Sequence, residues 1–399
     1  MKKLFLTIIV LSSLINCYSQ DWVVQNSNTT SRLNSVHFVD SNNGCAVGNN
    51  GTICKTFDGG DNWVLQSSGT TNHITSVYFI DTLKGFAVTS SELLKTTDGG
   101  QNWFIQDTMN ASLGCIFFID SDTGFVAGNR RMLKTVNGGQ SWNVENCADV
   151  YPACFWAINS DTLYIGGMGA TWESDPTIAK SVDGGVTWNE LYTMGSYGYF
   201  WHMFFTNSNT AFVTADYFGQ GYYYYKFKKT IDGGLSWYSP WTNNISRLTS
   251  MYFTDSNNGY IASLEGKILK TTDGGENWTP LNSNVTTPLF SIFFPDSLTG
   301  YAVGYSGVIL KTTNIGSTNG NSSTGESLII FPNPTTTQLK IKNGSLDIKR
   351  IEIIDNTGKN IKTIKQYKTT IDIADLPNGI YLIKFLTDKG IITKEFVKQ

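Results

Sequence analysis

Short apolar runs recur along most of the chain, and each is bounded by a turn rich in glycine, asparagine or aspartate. One unit begins with the tryptophan-led run WVLQSS at 63–68, passes through SVYFI and GFAVT, and ends with ELLKT at 92–96. Short apolar runs between such turns indicate β-strands rather than helices. The pattern therefore predicts units of four antiparallel strands.

Each unit ends in the same phrase, as in KTTDGGQNW at 95–103. Its hydroxyl residue falls at Thr56, Thr96, Thr135, Ser181, Thr230 and Thr271, in steps of 40, 39, 46, 49 and 41 residues, and a weaker copy without the tryptophan follows 41 residues later. Such a period is typical of a β-propeller blade. The stretch DWVVQNS at 21–27 matches the strand after each DGG loop. We therefore expect it to complete the last unit and close a ring of seven, which removes two exposed sheet edges.

The end of the chain has a different pattern. After the polar segment STNGNSSTGES from Ser317, alternating apolar residues resume in LIIFPNPTTTQLKIKN and predict a small antiparallel sandwich. We predict an all-β chain, a seven-bladed β-propeller followed by a small C-terminal β-sandwich. The expected divisions are a signal peptide at 1–19, the propeller at 20–316, a linker at 317–326 and the C-terminal domain at 327–399.

Charge also separates the two modules. Of 29 basic and 32 acidic residues, 12 and 7 lie from Ser327 onward, so the tail carries +5 and the rest −8. An acidic body is not that of a nucleic-acid-binding protein. Aromatic residues make up 13% of the chain and charged residues only 15%, which fits many short strands better than helices.

The N-terminus, MKKLFLTIIVLSSLINCYSQ, has the features of a secretory signal peptide with cleavage near Ser19, and Cys17 leaves lipidation as an alternative. No later stretch is apolar enough to span a bilayer. Export places the remaining cysteines in an oxidising setting. A two-residue Asn49-Asn50 turn would set Cys45 opposite Cys54, which predicts a disulfide. A second candidate pair is Cys147 and Cys154, with Cys115 left over; five reduced thiols are the alternative.

The repeated pattern S/T-x-D-x-G-x-x-W resembles the Asp-box, or BNR repeat, of sialidase and photosystem II assembly factor propellers. Aspartate and glycine suit a tight turn, and the tryptophan can pack between sheets. Equivalent turns on separate blades cannot bring two carboxylates together for acid–base chemistry, and the spacing is not that of a calcium loop. We therefore expect these residues to have a structural role. We expect no catalytic residues, no bound metal and no cofactor. The structural positions are Asp58, Asp98, Asn137, Asp183, Asp232 and Asp273, with Trp63, Trp103, Trp142, Trp188, Trp237 and Trp278.

A lysine precedes the hydroxyl residue in all seven units. A ring of ammonium groups could bind an anionic polymer, whereas lysine stems can also lie over apolar surface with the charge in water. The lysines are Lys55, Lys95, Lys134, Lys180, Lys229, Lys270 and Lys311.

Two units are longer than the others, and their additional residues fall in connections that open on the face opposite the DGG turns. Aromatic side chains with a few acids and hydroxyls suit a sugar or a protein loop. Packing of a tyrosine-rich strand against its neighbour is the alternative. The candidate ligand-binding residues are Trp172, Tyr197, Tyr199, Trp201, His202, Tyr217 and Tyr222. The residues at the position of His202 in the innermost strands of the seven units are Ser35, Ser76, Cys115, Cys154, His202, Ser250 and Ser291.

Enzymatic alternatives have less support. Sialidases grip their substrate with three arginines, and the predicted propeller has only Arg32, Arg130, Arg131 and Arg247. Xyloglucanase-type hydrolases use two propellers. A glycoside hydrolase that uses Asp175 or Asp216 is kept as an alternative.

The tail resembles the type A C-terminal sorting domain of the type IX (Por) secretion system of Bacteroidetes. The matching residues are Pro332-Asn333-Pro334, Gly358, Leu376-Pro377-Asn378-Gly379-Ile380-Tyr381 and Lys394. The resemblance implies contact with that machinery through residues 327–399, removal of the tail, and surface anchoring or release. We expect a secreted, monomeric protein of the cell surface or medium that binds a glycan or protein ligand without catalysis. A structural coat protein is the alternative.

Overall fold

The computed structural model describes residues 22–108, 113–128, 130–145, 147, 150–169, 175–194, 198–219, 222–240, 247–313, 328–331, 335–342, 347–355, 359–365, 367–387 and 390–398. The predicted signal peptide lies outside these residues. The chain divides into two compact units, Met1–Gly316 and Ser317–Gln399. No helix in the described ranges is long and apolar enough to cross a membrane.

The described strands of the first unit form seven antiparallel sheets, each built from consecutive strands apart from the last. The first three sheets are β2 Leu33–Phe38, β3 Gly44–Gly48, β4 Ile53–Thr56 and β5 Val64–Gln66; β6 Ile74–Phe79, β7 Gly85–Thr89, β8 Glu92–Thr96 and β9 Phe104–Thr108; and β10 Cys115–Phe118, β11 Gly124–Gly128, β12 Arg131–Thr135 and β13 Asn143–Glu145. The fourth is β14 Val150–Ala157, β15 Leu163–Gly169, β16 Thr177–Ser181 and β17 Asn189–Thr193. The fifth is β18 Gly198–Phe205, β19 Ala211–Gly219 and β20 Tyr222–Thr230, with a single bridge from Lys229 to Tyr238. The sixth is β21 Leu248–Phe253, β22 Gly259–Ser263, β23 Ile268–Thr271 and β24 Thr279–Leu281, and the seventh contains β25 Leu289–Phe293, β26 Gly300–Gly304 and β27 Ile309–Thr312.

The first strand of the described chain completes the seventh sheet. Strand β1, Val23–Gln25, pairs antiparallel with β27, and Val23 lies opposite Lys311. Trp22 is fully buried in the core between the sixth and seventh sheets, beside Ile268 and Phe294. The predicted pairing of the N-terminal strand with the last repeat is confirmed.

Apolar clusters fill the gaps between successive sheets. Val47 of the first sheet packs with Val77 and Leu94 of the second. The seventh sheet packs in the same way against the first, through Tyr301 and Val36. The sheets therefore form a closed ring in which each contributes one face to each neighbour, and this is the β-propeller arrangement that the repeat predicts.

The two ends of the ring differ in their turns. The N–H of Gly59 in the first DGG loop donates to the carbonyl oxygen of Asn42, in the turn between β2 and β3, at 2.9 Å. Antiparallel order then places the β3–β4 turn and the connection to the next sheet at the opposite end. The end of β15 and the start of β16 in the fourth sheet, and the end of β19 and the start of β20 in the fifth, lie at that opposite end.

The innermost strand of six of the described sheets contains a β-bulge near this end. A bulge adds one residue to a strand and changes the direction of its side chain. The added residues are Asn34, Thr75, Ala153, Trp201, Thr249 and Phe290.

The second unit has two sheets. In order, they are β28 Ile329–Phe331, β29 Gln338–Lys342 and β32 Thr370–Asp372, and then β31 Asn360–Ile364, β30 Ile348–Ile354, β33 Gly379–Thr387 and β34 Gly390–Lys398. Alternate residues of both sheets bury their side chains in one core, among them Leu339, Ile351 and Phe385. A common apolar core is the expected result of this alternation.

Candidate functional site

The DGG turns satisfy their own polar groups. The Asp98 carboxylate accepts hydrogen bonds from the Thr96 hydroxyl at 2.9 Å and from the backbone N–H of Asn102 at 2.9 Å. The Thr96 oxygen in turn accepts from the N–H of Gly100 at 2.9 Å, and the Trp103 indole donates to the Gly100 carbonyl at 3.2 Å. Gly100 has a φ of 88°, which favours glycine. The loop is thus a self-contained turn.

The substitution of asparagine in the third unit preserves this turn. The Asn137 Oδ1 atom accepts from the N–H of Ser141 at 3.0 Å, as the aspartates do elsewhere, and its amide donates to the Ser141 hydroxyl at 2.8 Å. Hydroxyl groups four residues further on bind the carboxylates of Asp183 and Asp232 and, with backbone N–H groups, lower the pKa of each to about 2. These groups are stable anions in a local hydrogen-bond network, as a structural role requires.

The lysines before the turns connect neighbouring sheets. Lys229 donates to the Gly274 carbonyl at 2.8 Å and to the Glu276 carboxylate at 2.6 Å. Lys55 is 1% exposed, and its ammonium lies 4.5 Å from the centre of the Phe79 ring. Others reach backbone or carboxylate oxygens of the next sheet, as Lys95, Lys134 and Lys311 do. These contacts leave the described lysines little freedom to hold an anionic polymer.

The innermost serines also connect neighbouring sheets. The hydroxyl oxygens of Ser35, Ser76, Ser250 and Ser291 accept hydrogen bonds from backbone N–H groups of the following sheet at 3.2–3.4 Å. The thiols of Cys115 and Cys154 instead face carbonyl oxygens of their own sheets, Ala127 at 3.9 Å and Gly166 at 3.6 Å. The serines of this ring therefore have an architectural role.

Four of the candidate ligand-binding residues, Tyr199, Trp201, His202 and Tyr217, lie on two faces of the fifth sheet. Trp172 and Tyr197 lie outside the described residues, and Tyr222 begins β20. Tyr199 and Trp201 lie together, with ring centroids 5.9 Å apart. Tyr217 follows Asp216, the cross-strand partner of Tyr199, so it points to the opposite face, where it stacks on Tyr224 at 4.9 Å. The rim is therefore divided, and one half faces the sixth sheet.

That half is completed by an arginine of the sixth sheet. The Arg247 guanidinium lies 4.0 Å from the centre of the Trp201 ring, and its Nη2 atom is 3.2 Å from Oδ2 of Asp216. The Trp201 side chain and the backbone N–H of Tyr199 lie near the Asp216 carboxylate and favour its charged form. Burial raises the pKa of Asp216, and the positive charge of Arg247 opposes that shift. The exposed Trp201 ring thus lies against a half-buried ion pair, and the Tyr199 ring lies beside it.

Three buried polar atoms below this pair have no hydrogen-bond partner among the described residues. They are Nδ1 of His202, Oγ1 of Thr214 and Oδ1 of Asp216. His202 is the cross-strand partner of Thr214, and Asp216 follows two residues later, so all three belong to one face. Burial lowers the pKa of His202 to about 4, so the ring is neutral at neutral pH. A buried polar atom without a partner costs about 1–3 kcal/mol, and three such atoms lie together on this face.

The same arrangement of arginine and aromatic ring occurs between the seventh and first sheets. The Arg32 guanidinium lies 3.7 Å from the centre of the Phe290 ring. Arg32 and Arg247 each precede a leucine that starts an innermost strand, and Phe290 and Trp201 are each the bulge residue of the preceding sheet. The sequence pattern did not predict this pairing, although an Arg-Leu step occurs at both places.

The predicted Cys45–Cys54 disulfide is wrong. Cys45 lies opposite Lys55, and Cys54 lies opposite Ala46, so the two thiols point to opposite faces of the first sheet. The turn has three residues, Asn49–Gly51, instead of two, and one additional residue reverses the face of a strand.

The remaining thiols are also unbridged. The five cysteines of the described residues form no disulfide, so the predicted Cys147–Cys154 disulfide is absent as well. Cys147 packs between the third and fourth sheets, whereas Cys154 packs between the fourth and fifth. The alternative of five reduced thiols agrees with the structure.

The second unit contains the predicted tail motif in part. Pro332-Asn333-Pro334 and Gly358 lie outside the described residues. The Tyr381 hydroxyl donates to the Pro377 carbonyl at 2.7 Å, which closes the turn before β33. Residues 329–399 match the family model of the secretion system C-terminal sorting domain. Residues 15–104 match that of the photosynthesis system II assembly factor YCF48. Both resemblances inferred from the motifs are confirmed.

Solved structures similar to this chain are β-propellers. YCF48 bound to D1 peptide is 20% identical, with a TM-score of 0.62 over 74% of this chain and 98% of that one. PorZ, a surface component of the type-IX secretion system of Porphyromonas gingivalis, is 12% identical, with a TM-score of 0.51 over 90% of this chain and 58% of that one. An ancestral GH74 enzyme is 13% identical, with a TM-score of 0.58 over 94% and 63%. At these identities the likeness concerns the fold alone. A comparison with curated protein sequences finds no match.

Proposed function

We propose that this chain is a non-catalytic binding protein, a seven-bladed propeller exported by the type IX secretion system to the cell surface or the medium. The match of residues 329–399 to a sorting domain supports export. PorZ, a surface component of that system, and YCF48, seen with a bound peptide, support a binding or assembly role for this fold. We assign the signal peptide to 1–19, the propeller to 20–316, the linker to 317–326 and the sorting domain to 327–399.

The binding face is the surface formed by Tyr199, Trp201 and Arg247. One observation carries this assignment: Tyr199 and Trp201 are 42% and 38% exposed, although their rings contact each other and Arg247, which pairs with the buried Asp216, covers one face of Trp201. Exposed aromatic side chains in a fixed position lose little conformational freedom when a ligand binds, so they favour affinity. The ligand is a glycan or a protein.

The test measures retention of the labelled, purified full-length chain on a glycan array and on whole bacterial cells. Trp201→Ala and Tyr199→Ala are expected to reduce saturable retention at least tenfold, which corresponds to about 1.4 kcal/mol. Tyr224→Ala, an exposed ring on the opposite face of the same sheet, is the matched control and is expected to bind as the wild type does. Periodate treatment of the cells removes glycan ligands, and protease removes protein ligands. If neither Trp201→Ala nor Tyr199→Ala changes retention on any surface, the proposed function is wrong.

A further inference from the structure

The unpartnered atoms beneath Trp201 are not a general feature of the ring. At the position of His202, four other sheets have a serine whose hydroxyl oxygen accepts from the following sheet, as Ser250 does from the N–H of Ile292 at 3.2 Å. Thr214, behind His202, is 1% exposed and also lacks a partner among the described residues. The fold therefore allows the side chain at this position to form a hydrogen bond with the next sheet. In the fifth sheet, Nδ1 of His202 forms no such bond with any described residue.

The charges around these atoms balance. The carboxylate of Asp216 is paired with the guanidinium of Arg247, at 3.2 Å, and the buried imidazole of His202 is neutral at neutral pH. An anionic ligand would be repelled by the carboxylate, and a cationic ligand would compete with the guanidinium. The balance favours a ligand without net charge.

The hydrogen-bonding capacity of the atoms is complementary to hydroxyl groups. Oδ1 of Asp216 can only accept, the Thr214 hydroxyl can donate or accept, and Nδ1 of His202 does one or the other according to its tautomer. A hydroxyl group both donates and accepts, so a pair of hydroxyls on adjacent carbons can satisfy a carboxylate oxygen and the Thr214 hydroxyl together.

The cover over these atoms includes a movable side chain. The Arg247 side chain is 32% exposed and occupies one face of the Trp201 ring. When it moves aside, it uncovers that ring face beside the exposed Tyr199. Sugar rings present C–H groups on one face and hydroxyls at the edge, and the C–H groups pack on aromatic rings.

We infer that the ligand is a neutral carbohydrate whose hydroxyl groups displace Arg247 from Trp201 and bind Asp216 and Thr214, while the sugar ring packs against Trp201 and Tyr199. This inference rests on the proposed function and names the class of its ligand.

Two threonine variants of the full-length chain test it. Thr214→Val removes a hydroxyl that has no partner among the described residues, so we expect an unfolding midpoint equal to or above that of the wild type and an affinity for a neutral glycan at least tenfold weaker. Thr249→Val is the control, because Thr249 Oγ1 lies 3.0 Å and 2.8 Å from the carbonyl oxygens of Ala262 and Leu289. We expect this variant to lose stability and to keep its affinity.

The outcomes separate this inference from the proposed function. Binding of a neutral glycan that Thr214→Val weakens and Thr249→Val preserves supports both. Binding that requires Trp201 but is indifferent to Thr214→Val, or that selects only charged glycans or a protein, overturns the carbohydrate inference and leaves the proposed function in place. A blank array with protease-sensitive retention on cells also overturns it. Absence of any Trp201-dependent binding overturns both.

Discussion

The hydroxyl oxygen of Ser291 accepts a hydrogen bond from the backbone N–H of Val36, at 3.3 Å, across the gap between the last sheet and the first. These residues lie 255 positions apart, yet the contact is the same one that joins Ser35 to Val77 in the next gap along the ring, at 3.4 Å. The closing interface is therefore built in the same way as an interior one.

Ser291→Ala removes this acceptor and leaves the Val36 N–H without it. We expect the free energy of unfolding to fall by about 0.5–1.5 kcal/mol, measured by urea denaturation. Ser297→Ala, in an exposed turn of the same sheet, is expected to leave the unfolding curve unchanged. Equal curves for the wild type and Ser291→Ala would mean that the bond contributes nothing to closure.

Acid is expected to destabilise the propeller through its DGG turns. The pKa of Asp183 is about 2 in the folded chain against an ordinary value of 3.8, so the unfolded chain takes up the proton first. The contribution of this group is complete above pH 3.8 and is lost as the pH falls towards 2.

Asp183→Asn is expected to reduce the slope of stability against pH in this window, because an asparagine already makes the equivalent turn at Asn137. The measurement is the thermal midpoint at several pH values between about 2 and 5. Asp183→Ala, which removes the acceptor, is expected to lower the midpoint at every pH. If the thermal midpoint of Asp183→Asn fell with pH as steeply as that of the wild type, Asp183 would not contribute to the acid destabilisation.

The ion pair of Asp216 and Arg247 is expected to show energetic coupling. Arg247→Ala leaves the buried carboxylate without its counter-ion and is expected to cost about 1–3 kcal/mol of stability. In the double variant with Asp216→Asn no charge is stranded, so the loss is expected to be smaller than the sum of the two single losses. Unfolding free energies of the four proteins give the coupling directly, and additive losses would show that the pair is not coupled.

The cysteines are expected to be reduced and unreactive. Burial raises the pKa of Cys45 and Cys54 to about 12 and that of Cys115 to about 11, which suppresses the thiolate. We expect alkylation of the folded protein to be slow and alkylation of the unfolded protein to modify all five thiols of residues 20–399. Intact mass before and after reduction is the check, and a gain of two hydrogens on reduction would reveal a disulfide.

Repetition explains why most of the fold could be predicted from the sequence. The phrase at 95–103 returns at steps of 39 to 49 residues. The match of 21–27 to the strand after each DGG loop was enough to predict its pairing with the last sheet. The pairing register of β3 and β4 was harder to predict from the sequence. Val47 lies opposite Ile53, so the turn Asn49–Gly51 has one residue more than the two-residue alternative, and no residue type in this stretch decides between the two lengths.

Only the half of the candidate site that lies on the fifth sheet could be predicted from the sequence. Tyr199 and Trp201 belong to a unit that is longer than the others, so both could be predicted as ligand-binding residues. Their partner Arg247 directly precedes the first strand of the sixth sheet, and the sequence pattern there indicates only a connection between two sheets. Contacts between sheets depend on the bulge that turns Trp201 towards its neighbour, and a bulge has no simple signature in one sequence.

Pairing of β1 with β27 means that no repeat of the ring is terminal. Linear repeat proteins begin and end with units that have an unsupported face and need capping repeats. Here each sheet has two neighbours, so loosening one sheet exposes two apolar surfaces and is opposed from both sides. The long connections of the fourth and fifth sheets can therefore change in length and sequence on a scaffold without an end from which to unravel, and this property suits a fold that acquires new ligands by altering its loops.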